Sequence, residues 1–260
     1  MLNLIIHNKT DEQTQKLNEI MKNGAGLFAE AQAGEACYAD SQGWLDTKEW
    51  AGEDTLSHIE ALAQEIRERA DAFVLIGVGG SNNAARSVVE ALKQDDAPEI
   101  IYAGNTLSPH ALKQMLKKLK GKSIYIDCIA KNFETLEPGS SFRILREYME
   151  AEYGKEEAAR RTIAVGTTGS SLEELCTKYG YTFLEFALNI GGRYTAMTNV
   201  GLLPMAVAGI DIRALVKGAN DMQIRVHEES AEENIAYEYA CLRNLFYKEG
   251  YRVEMLASFE

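Results

Sequence analysis

The segment Gly77-Val78-Gly79-Gly80-Ser81 combines residue types that hold small anions. Glycines let the backbone approach a ligand, and the first turn of a helix offers free N–H groups and a partial positive charge. Ser81 is suited to cap such a helix and to donate its hydroxyl to an anion. The segment matches neither the P-loop nor the full dinucleotide fingerprint, because no Lys follows the glycines and the third glycine is misplaced. Taken alone, it is equally well explained as a tight turn with a capping serine.

A second polar segment occupies residues 130–138 and reads Ala-Lys-Asn-Phe-Glu-Thr-Leu-Glu-Pro. Lys131, Asn132 and Thr135 are residue types that contact anions. Glu134 has the opposite effect, because a carboxylate beside a phosphate adds repulsion. By itself this segment is therefore weak support for an anion site.

The third segment places Arg193 directly behind Gly191 and Gly192. A guanidinium is always charged, and its planar fork suits oxygen anions held close to a glycine backbone. The alternative is a structural arginine in a surface salt bridge, which is a common arrangement.

Strands that alternate with helices must position these three segments. Continuous apolar runs of strand length indicate parallel strands that are buried on both faces. The predicted strands cover residues 72–78, 99–103, 123–129, 162–165 and 182–187. Helical patterns separate them at residues 82–94, from Ser108-Pro109 onward, and at 142–153 and 172–179. This alternation predicts an α/β fold, a three-layer αβα sandwich around a doubly wound five-stranded parallel sheet. Loops at the carboxyl ends of such strands form ligand sites.

Additional helices are predicted on both sides of this core. The first part contains helices at residues 14–22 and 56–70, separated by a loop at 23–46. The last third contains a short helix at 211–220, a long helix at 222–249, and a terminal strand at 251–259. We therefore expect a helical segment over 1–70, packed on the α/β domain over 71–220. A long helix and a strand follow over 221–260.

The composition excludes several functional classes. Lys and Arg number 27 against 39 Asp and Glu, which gives a net charge of −12 and disfavours a nucleic-acid surface. No apolar run is long enough to span a membrane, and we expect no signal peptide. The four cysteines lack metal-ligand spacing, so we expect reduced thiols in a cytoplasmic protein, with no metal and no cofactor.

Three longer motifs resemble the glucose-6-phosphate isomerase family in its short bacterial form. They read IGVGGSNNAAR at 76–86, AGNTLSPHAL at 103–112, and NIGGRYTAMTNVGLLPMAVAGIDI at 189–212. The last is similar to the family signature over its whole length. Residues 23–46 resemble a diverged form of the family's early loop. The resemblance covers essentially the whole chain. It implies that residues 71–220 form a sugar-isomerase (SIS) domain and that residues 221–260 lead toward a second domain.

The resemblance also implies a set of site residues. The family interconverts glucose 6-phosphate and fructose 6-phosphate through an enediolate. Gly79, Gly80 and Ser81 match the turn that holds the phosphate, and Arg193 matches the arginine that stabilises the enediolate charge. The other residues carried over as substrate-binding are Lys131, Asn132, Thr135 and Gly192.

Two departures from the family pattern qualify this assignment. The family's phosphate loop reads approximately Ser-Lys-Ser/Thr-x-Thr-Thr, whereas here Ala130, Asn132 and Glu134 replace three hydroxyl residues. No residue matches the family's catalytic glutamate, which belongs to a second domain. We therefore expect an isomerase-family chain that is incomplete or inactive alone. The alternative is a non-catalytic phosphosugar-binding or structural protein that acts through a partner, either a second copy or another chain that pairs with the terminal strand.

Overall fold

Five parallel strands form one sheet within residues 40–220. The computed structural model describes residues 3–35, 42–131 and 133–257. The strands are β1 (Ala72–Ile76), β2 (Glu99–Ala103), β3 (Ile124–Ala130), β4 (Thr162–Gly166) and β5 (Thr182–Glu185). Their order is β2-β1-β3-β4-β5, so the strand order reverses between β1 and β3. This confirms the doubly wound parallel sheet.

Helices cover both faces of the sheet and complete the predicted three layers. The helices of residues 40–220 are α2 (Thr47–Trp50), α3 (Glu53–Arg69), α4 (Gly80–Leu92), α5 (Pro109–Leu119), α6 (Leu136–Arg160), α7 (Ser171–Tyr179) and α8 (Asn199–Val207). One apolar core joins a face of the sheet to α3, α4 and α8, and the other joins the opposite face to α5, α6 and α7. β1, β3 and β4 are buried along their whole lengths, as continuous apolar runs require.

The remaining helices are α1 (Asp11–Gln32), α9 (Ile212–Glu228) and α10 (Ile235–Lys248). Residues 1–39 and 221–260 form one compact unit, and residues 40–220 form the other. In the first unit, Leu17 of α1 packs with Tyr237, Leu242 and Leu245 of α10. The division at residues 70 and 220 stays a prediction.

α1 is longer than predicted and continues through Gly24 and Gly26, which the sequence suggested were in a loop. Thr10 and Gln13 form a capping box at its start, which satisfies the first free N–H groups. A Cβ on Gly24 would lie 2.6 Å from the Tyr237 hydroxyl oxygen. Close packing of α10 therefore explains a glycine inside this helix.

The prediction of one long helix over 222–249 is wrong. The structure has two helices there, α9 and α10, and Asn234 lies between them. The Asn234 side chain accepts hydrogen bonds from the N–H groups of Ala236 and Tyr237 and so caps α10. Its amide donates to the carbonyls of Arg225 and Val226, 3.0 and 3.3 Å away, in the last turns of α9. One buried side chain thus ends one helix and starts the next.

The terminal strand predicted over 251–259 is also wrong for residues 251–257, the part that the structure describes. These residues form no strand and are exposed. A strand needs a hydrogen-bonded neighbour, and all strands of the described ranges belong to the sheet of residues 40–220. Val253, Met255 and Leu256 remain 89%, 86% and 87% exposed.

Two chemical expectations can be compared with the described residues. Cys128, Cys176 and Cys241 are free thiols and are buried, while Cys37 lies outside the described residues. No helix in the described ranges has the length and apolar character needed to cross a membrane.

Candidate active site

The candidate site lies at the carboxyl edge of the sheet, where the segments after β1, β3 and β5 meet. β1 and β3 are neighbours on either side of the reversal in strand order. Open α/β sheets bind ligands at this position. The predicted residues therefore lie where the fold favours a site.

The glycine turn after β1 requires glycine for two reasons. Gly79 adopts φ 61°, a conformation that residues with a Cβ rarely adopt. A Cβ on Gly80 would lie 1.9 Å from the Gly192 carbonyl oxygen and 2.7 Å from the Arg193 backbone nitrogen. The backbone of the glycine turn therefore contacts the backbone of the arginine turn directly. This contact brings Gly79, Gly80, Gly192 and Arg193 together.

Helix α4 begins inside this turn. Ser81 is partly exposed in its first turn, where N–H groups lack intrahelical acceptors. Asn82 is 3% exposed, and its side-chain amide donates to the Gly77 carbonyl at 3.4 Å. The Asn82 side-chain oxygen has no partner within the described residues. The buried Asn82 side chain therefore holds the start of α4 through the Gly77 carbonyl, and the neighbouring Ser81 stays partly exposed.

Lys131 joins the second segment to the third. Its Nζ donates to the Leu188 and Ile190 carbonyl oxygens, 2.8 and 2.9 Å away. Its own carbonyl accepts a hydrogen bond of 3.0 Å from the Thr167 hydroxyl. An ammonium has three N–H donors, and these two carbonyls use two of them. The Lys131 Nζ also lies 5.5 Å from the centroid of the Phe186 ring. Lys131 thus holds the loop that precedes Arg193, a role that sequence reasoning missed because backbone carbonyls leave no signal in the sequence.

Thr135 has a different environment from the other predicted residues. It is the residue before α6 and is exposed. It lines a cavity of about 280 Å³ with Arg143 and Arg146 of α6. Glu134 is exposed on the same loop, so solvent screens its charge. Asn132 lies outside the described residues.

Arg193 lies in the 3-10 turn Gly192–Tyr194 and is exposed. Its guanidinium has no hydrogen bond or ion pair with any residue in ranges 3–35, 42–131 and 133–257. The structural salt bridge considered as the alternative is therefore not found in these ranges. An unpaired guanidinium beside a glycine backbone can bind an anionic oxygen.

Residues 43 and 44, in the loop predicted over 23–46, also contribute to this arrangement. The spacing of residues in the sequence did not predict this contact. The Gly43 N–H donates to the Asn189 carbonyl at 3.1 Å. The next residue, Trp44, stacks on Tyr194 with ring centroids 5.2 Å apart and an interplanar angle of 18°. The likeness of residues 23–46 to the family's early loop was the only available signal. Trp44 and Tyr194 are 41% and 52% exposed, so the pair presents an open aromatic surface next to Arg193.

Within the described residues, no three His, Cys, Asp or Glu side chains lie close enough together to hold an ion. The site is built instead from glycine backbone, hydroxyl groups and two cationic side chains.

Comparisons with known proteins identify relatives of this chain. A profile of the phosphoglucose isomerase family matches residues 15–259. The chain belongs to that family. A glucose-6-phosphate isomerase from Staphylococcus saprophyticus is 36% identical over 256 residues, which cover 96% of this chain and 57% of that protein. The corresponding protein from Staphylococcus aureus is 35% identical with the same coverage.

Solved structures show the same fold. A hypothetical protein from Thermus thermophilus has a TM-score of 0.79 at 23% identity, covering 89% of this chain and 55% of that one. A glucose-6-phosphate isomerase from Chlamydia trachomatis has a TM-score of 0.73 at 16% identity, covering 90% of this chain and 50% of that one. The phosphoglucose isomerase family member described here thus spans 57% of the length of the curated relatives.

Proposed function

We propose that this chain supplies part of a glucose-6-phosphate isomerase active site, which interconverts glucose 6-phosphate and fructose 6-phosphate. The observation that carries the proposal is the backbone contact between Gly80 and Gly192, which joins the glycine-serine turn to the arginine turn. The Arg193 guanidinium at this junction supports it, because it has no hydrogen bond or ion pair with any residue that the structure describes. The relatives that carry this activity by name share 35% to 36% identity with the chain.

The proposal gives each residue a role. Gly79, Gly80 and Ser81 bind the phosphate with backbone N–H groups and a hydroxyl at the start of α4. Arg193 stabilises the negative charge that develops on the enediolate oxygens. Lys131 positions the Arg193 loop and offers its remaining N–H to the ligand.

Proton transfer between C1 and C2 requires a base within hydrogen-bond reach. The family's catalytic glutamate has no counterpart in these 260 residues. We infer that turnover depends on a carboxylate supplied by a partner or by a longer chain. The expected state of this chain alone is therefore binding with little or no catalysis.

A non-catalytic phosphosugar-binding role is the second candidate. Ala130 and Glu134 favour it, because they replace hydroxyl groups of the family's phosphate loop with a methyl group and a charge. Val253, Met255 and Leu256 support action through a partner, either a second copy or another chain, since such exposed apolar side chains mark interaction surfaces. A cytoplasmic location without nucleic-acid or membrane partners completes the proposal.

Thermal unfolding with and without fructose 6-phosphate tests the binding site. A ligand at about one hundred times its Kd stabilises a protein by roughly 2.7 kcal/mol. We expect a saturable increase in Tm for the wild type and its loss in Arg193→Ala. Arg160→Ala is the matched control, because the Arg160 side chain is 64% exposed and forms ion pairs with Glu156 and Glu157 of its own helix.

The outcomes separate the two candidates. No shift in a folded wild-type chain, or an unchanged shift in Arg193→Ala, would contradict the proposed site. A coupled isomerase assay on a chain that binds distinguishes catalysis from binding alone. Light scattering of the same sample shows whether the chain forms oligomers.

A further inference from the structure

We propose that Trp44 is a positioning residue for Arg193 and acts on it through Tyr194. The inference deepens the proposed function and rests on the role that this function gives to Arg193. Trp44 lies outside the three polar segments that the sequence assigns to the site. It belongs to the 3-10 turn Gly43–Leu45, which contacts the arginine loop, residues 189–195.

Arg193 depends on its neighbours in the chain for its position. Its guanidinium has no hydrogen bond or ion pair with any residue that the structure describes. On one side, Gly192 lies against the backbone of Gly80. On the other side, the Tyr194 ring stacks on Trp44, with ring centroids 5.2 Å apart and an interplanar angle of 18°. Arg193 therefore lies between two residues that are each in contact with another segment.

Hydrogen bonds inside the arginine loop do not replace this support. The Tyr194 N–H donates to the Gly191 carbonyl at 2.9 Å, and the Thr195 hydroxyl donates to the Gly192 carbonyl at 3.0 Å. Both bonds join residues that are close in the chain, so they set the shape of the loop. The stack on Trp44 instead joins the loop to a segment that is distant in sequence. It therefore fixes the loop against another part of the fold.

Trp44 can support the loop because its own turn is held to the same loop at a second point. The Gly43 N–H donates to the Asn189 carbonyl at 3.1 Å, and a Cβ on Gly43 would overlap the Asn189 side chain. After Trp44, the Asp46 side chain accepts a hydrogen bond from the Glu49 N–H and caps α2. The turn is thus ordered on both sides of Trp44, and it contacts the arginine loop near both of the loop's ends.

The position of the aromatic pair indicates a role at the site and not in the core. Trp44 and Tyr194 are largely exposed for stacked aromatic residues, at 41% and 52%. Neither ring packs into an apolar core formed by the described residues. Stacked aromatic rings attract each other beyond the effect of the area that they bury. We therefore expect this stack to act mainly on the placement of the arginine loop.

This placement matters because Arg193 must meet an anionic oxygen in a defined geometry. Hydrogen bonds weaken steeply when the donor angle departs from its optimum. Stabilisation of a developing charge also requires donors that are in place before the charge develops. A residue that holds the arginine loop reduces the ordering that binding would otherwise require. Trp44 thus promotes binding without touching the anion.

Hydrogen exchange of the amides at residues 191–195, without ligand, tests the positioning itself. We expect exchange in Trp44→Ala to be about two- to tenfold faster than in the wild type, the factor that one aromatic pair contributes to an equilibrium. Trp44→Phe retains an aromatic ring and should retain most of the protection. Tyr247→Ala is the control, because it removes a ring that is 61% exposed in the unit of residues 1–39 and 221–260. Exchange at 191–195 should not change in that variant.

Fructose 6-phosphate tests the consequence for the ligand. We expect its Kd, measured by isothermal titration, to rise about two- to tenfold in Trp44→Ala and to stay close to the wild-type value in Trp44→Phe. Trp50→Phe leaves Trp44 as the only tryptophan, because the chain has two. The fluorescence of Trp50→Phe should change saturably with fructose 6-phosphate, since the anion binds next to the stacked pair. Trp44→Phe, which keeps Trp50, should show no such change.

Unchanged exchange at residues 191–195 in Trp44→Ala would overturn the proposal, whether or not fructose 6-phosphate binds. Equal fructose 6-phosphate affinity in the wild type and Trp44→Ala, or equal losses of affinity in Trp44→Ala and Trp44→Phe, would also overturn it. Faster exchange in Trp44→Ala, together with no binding of fructose 6-phosphate to the wild type, would support the positioning of the arginine loop and contradict the proposed isomerase site alone.

Discussion

Asp127 makes the stability of the sheet depend on pH in an unusual direction. It lies in β3 between Leu75 of β1 and Ile163 of β4. It is fully buried, and neither carboxylate oxygen has a hydrogen-bond partner within the described residues. Burial alone raises the pKa of the Asp127 carboxyl well above its usual range. The folded protein therefore keeps a proton that the unfolded chain releases.

The sign and size of the effect follow from this difference in proton binding. In the unfolded chain, the Asp127 carboxyl has the ordinary aspartate pKa of about 4. Below that pH it is neutral in both the folded and the unfolded state, so it does not lower the stability. Stability is lost as pH rises from that value to the folded pKa, by about 1.4 kcal/mol for each pH unit. A loss at this rate is measurable by equilibrium unfolding, because the total stability of a typical protein is only about 5–15 kcal/mol. Asp127→Asn has nearly the same size and does not titrate, so it should remove this slope.

Urea unfolding followed by tryptophan fluorescence measures the effect between about pH 5 and about pH 7. The chain has two tryptophans, Trp44 and Trp50, and both lie in residues 40–220, so the signal reports the unit that contains the sheet. As pH rises, we expect the unfolding free energy of the wild type to fall relative to that of Asp127→Asn. Asp95→Asn makes the same chemical change on an exposed side chain and is the control. Parallel pH dependences for Asp127→Asn and the wild type would refute the reasoning.

Two further predictions concern the contacts that hold the site together. Gly80→Ala should destabilise the chain by about 1–3 kcal/mol, because the new Cβ would overlap the Gly192 carbonyl. Gly192→Ala is its control, because a Cβ there meets no atom within 4 Å, and equal urea midpoints for the two variants would contradict the contact. Lys131→Met should cost about 1–3 kcal/mol and speed hydrogen exchange of the amides at residues 188–195, because two hydrogen bonds to carbonyls are lost. Lys131→Arg should retain part of the protection, and unchanged exchange in Lys131→Met would exclude the proposed role of this lysine.

The sheet was predictable because burial on both faces leaves a direct record in the sequence. β1 and β3 are uninterrupted apolar runs apart from Asp127, and the helices between them have apolar stripes of the correct period. The carboxyl edge, and hence the general position of the site, follows from that topology. The identities of Gly80 and Arg193 came from the family resemblance, since the glycine turn alone was equally consistent with a structural turn.

The errors have a common physical cause, which is that contacts distant in sequence decided the local structure. Gly24 is compatible with a helix because Tyr237 packs against it. Asn234 breaks an otherwise continuous apolar stripe because its side chain caps α10 and binds the end of α9. Residues 251–257 have the composition of a strand but lack a neighbouring strand in the structure. Propensity and period describe what a segment can form, and its neighbours determine what it does form.

The altered phosphate loop and the intact arginine turn are separable in this structure. Arg193 is positioned by the Gly80–Gly192 backbone contact and by Lys131, and neither interaction uses the side chain of Ala130 or Glu134. The replaced hydroxyl groups therefore change what the loop offers to a phosphate without moving the arginine. In the proposed site, Arg193 therefore keeps its position for an anionic oxygen whatever the loop after β3 offers to a phosphate. Retention of the site geometry and retention of tight phosphosugar binding are thus independent properties, and the Arg193→Ala titration measures the second.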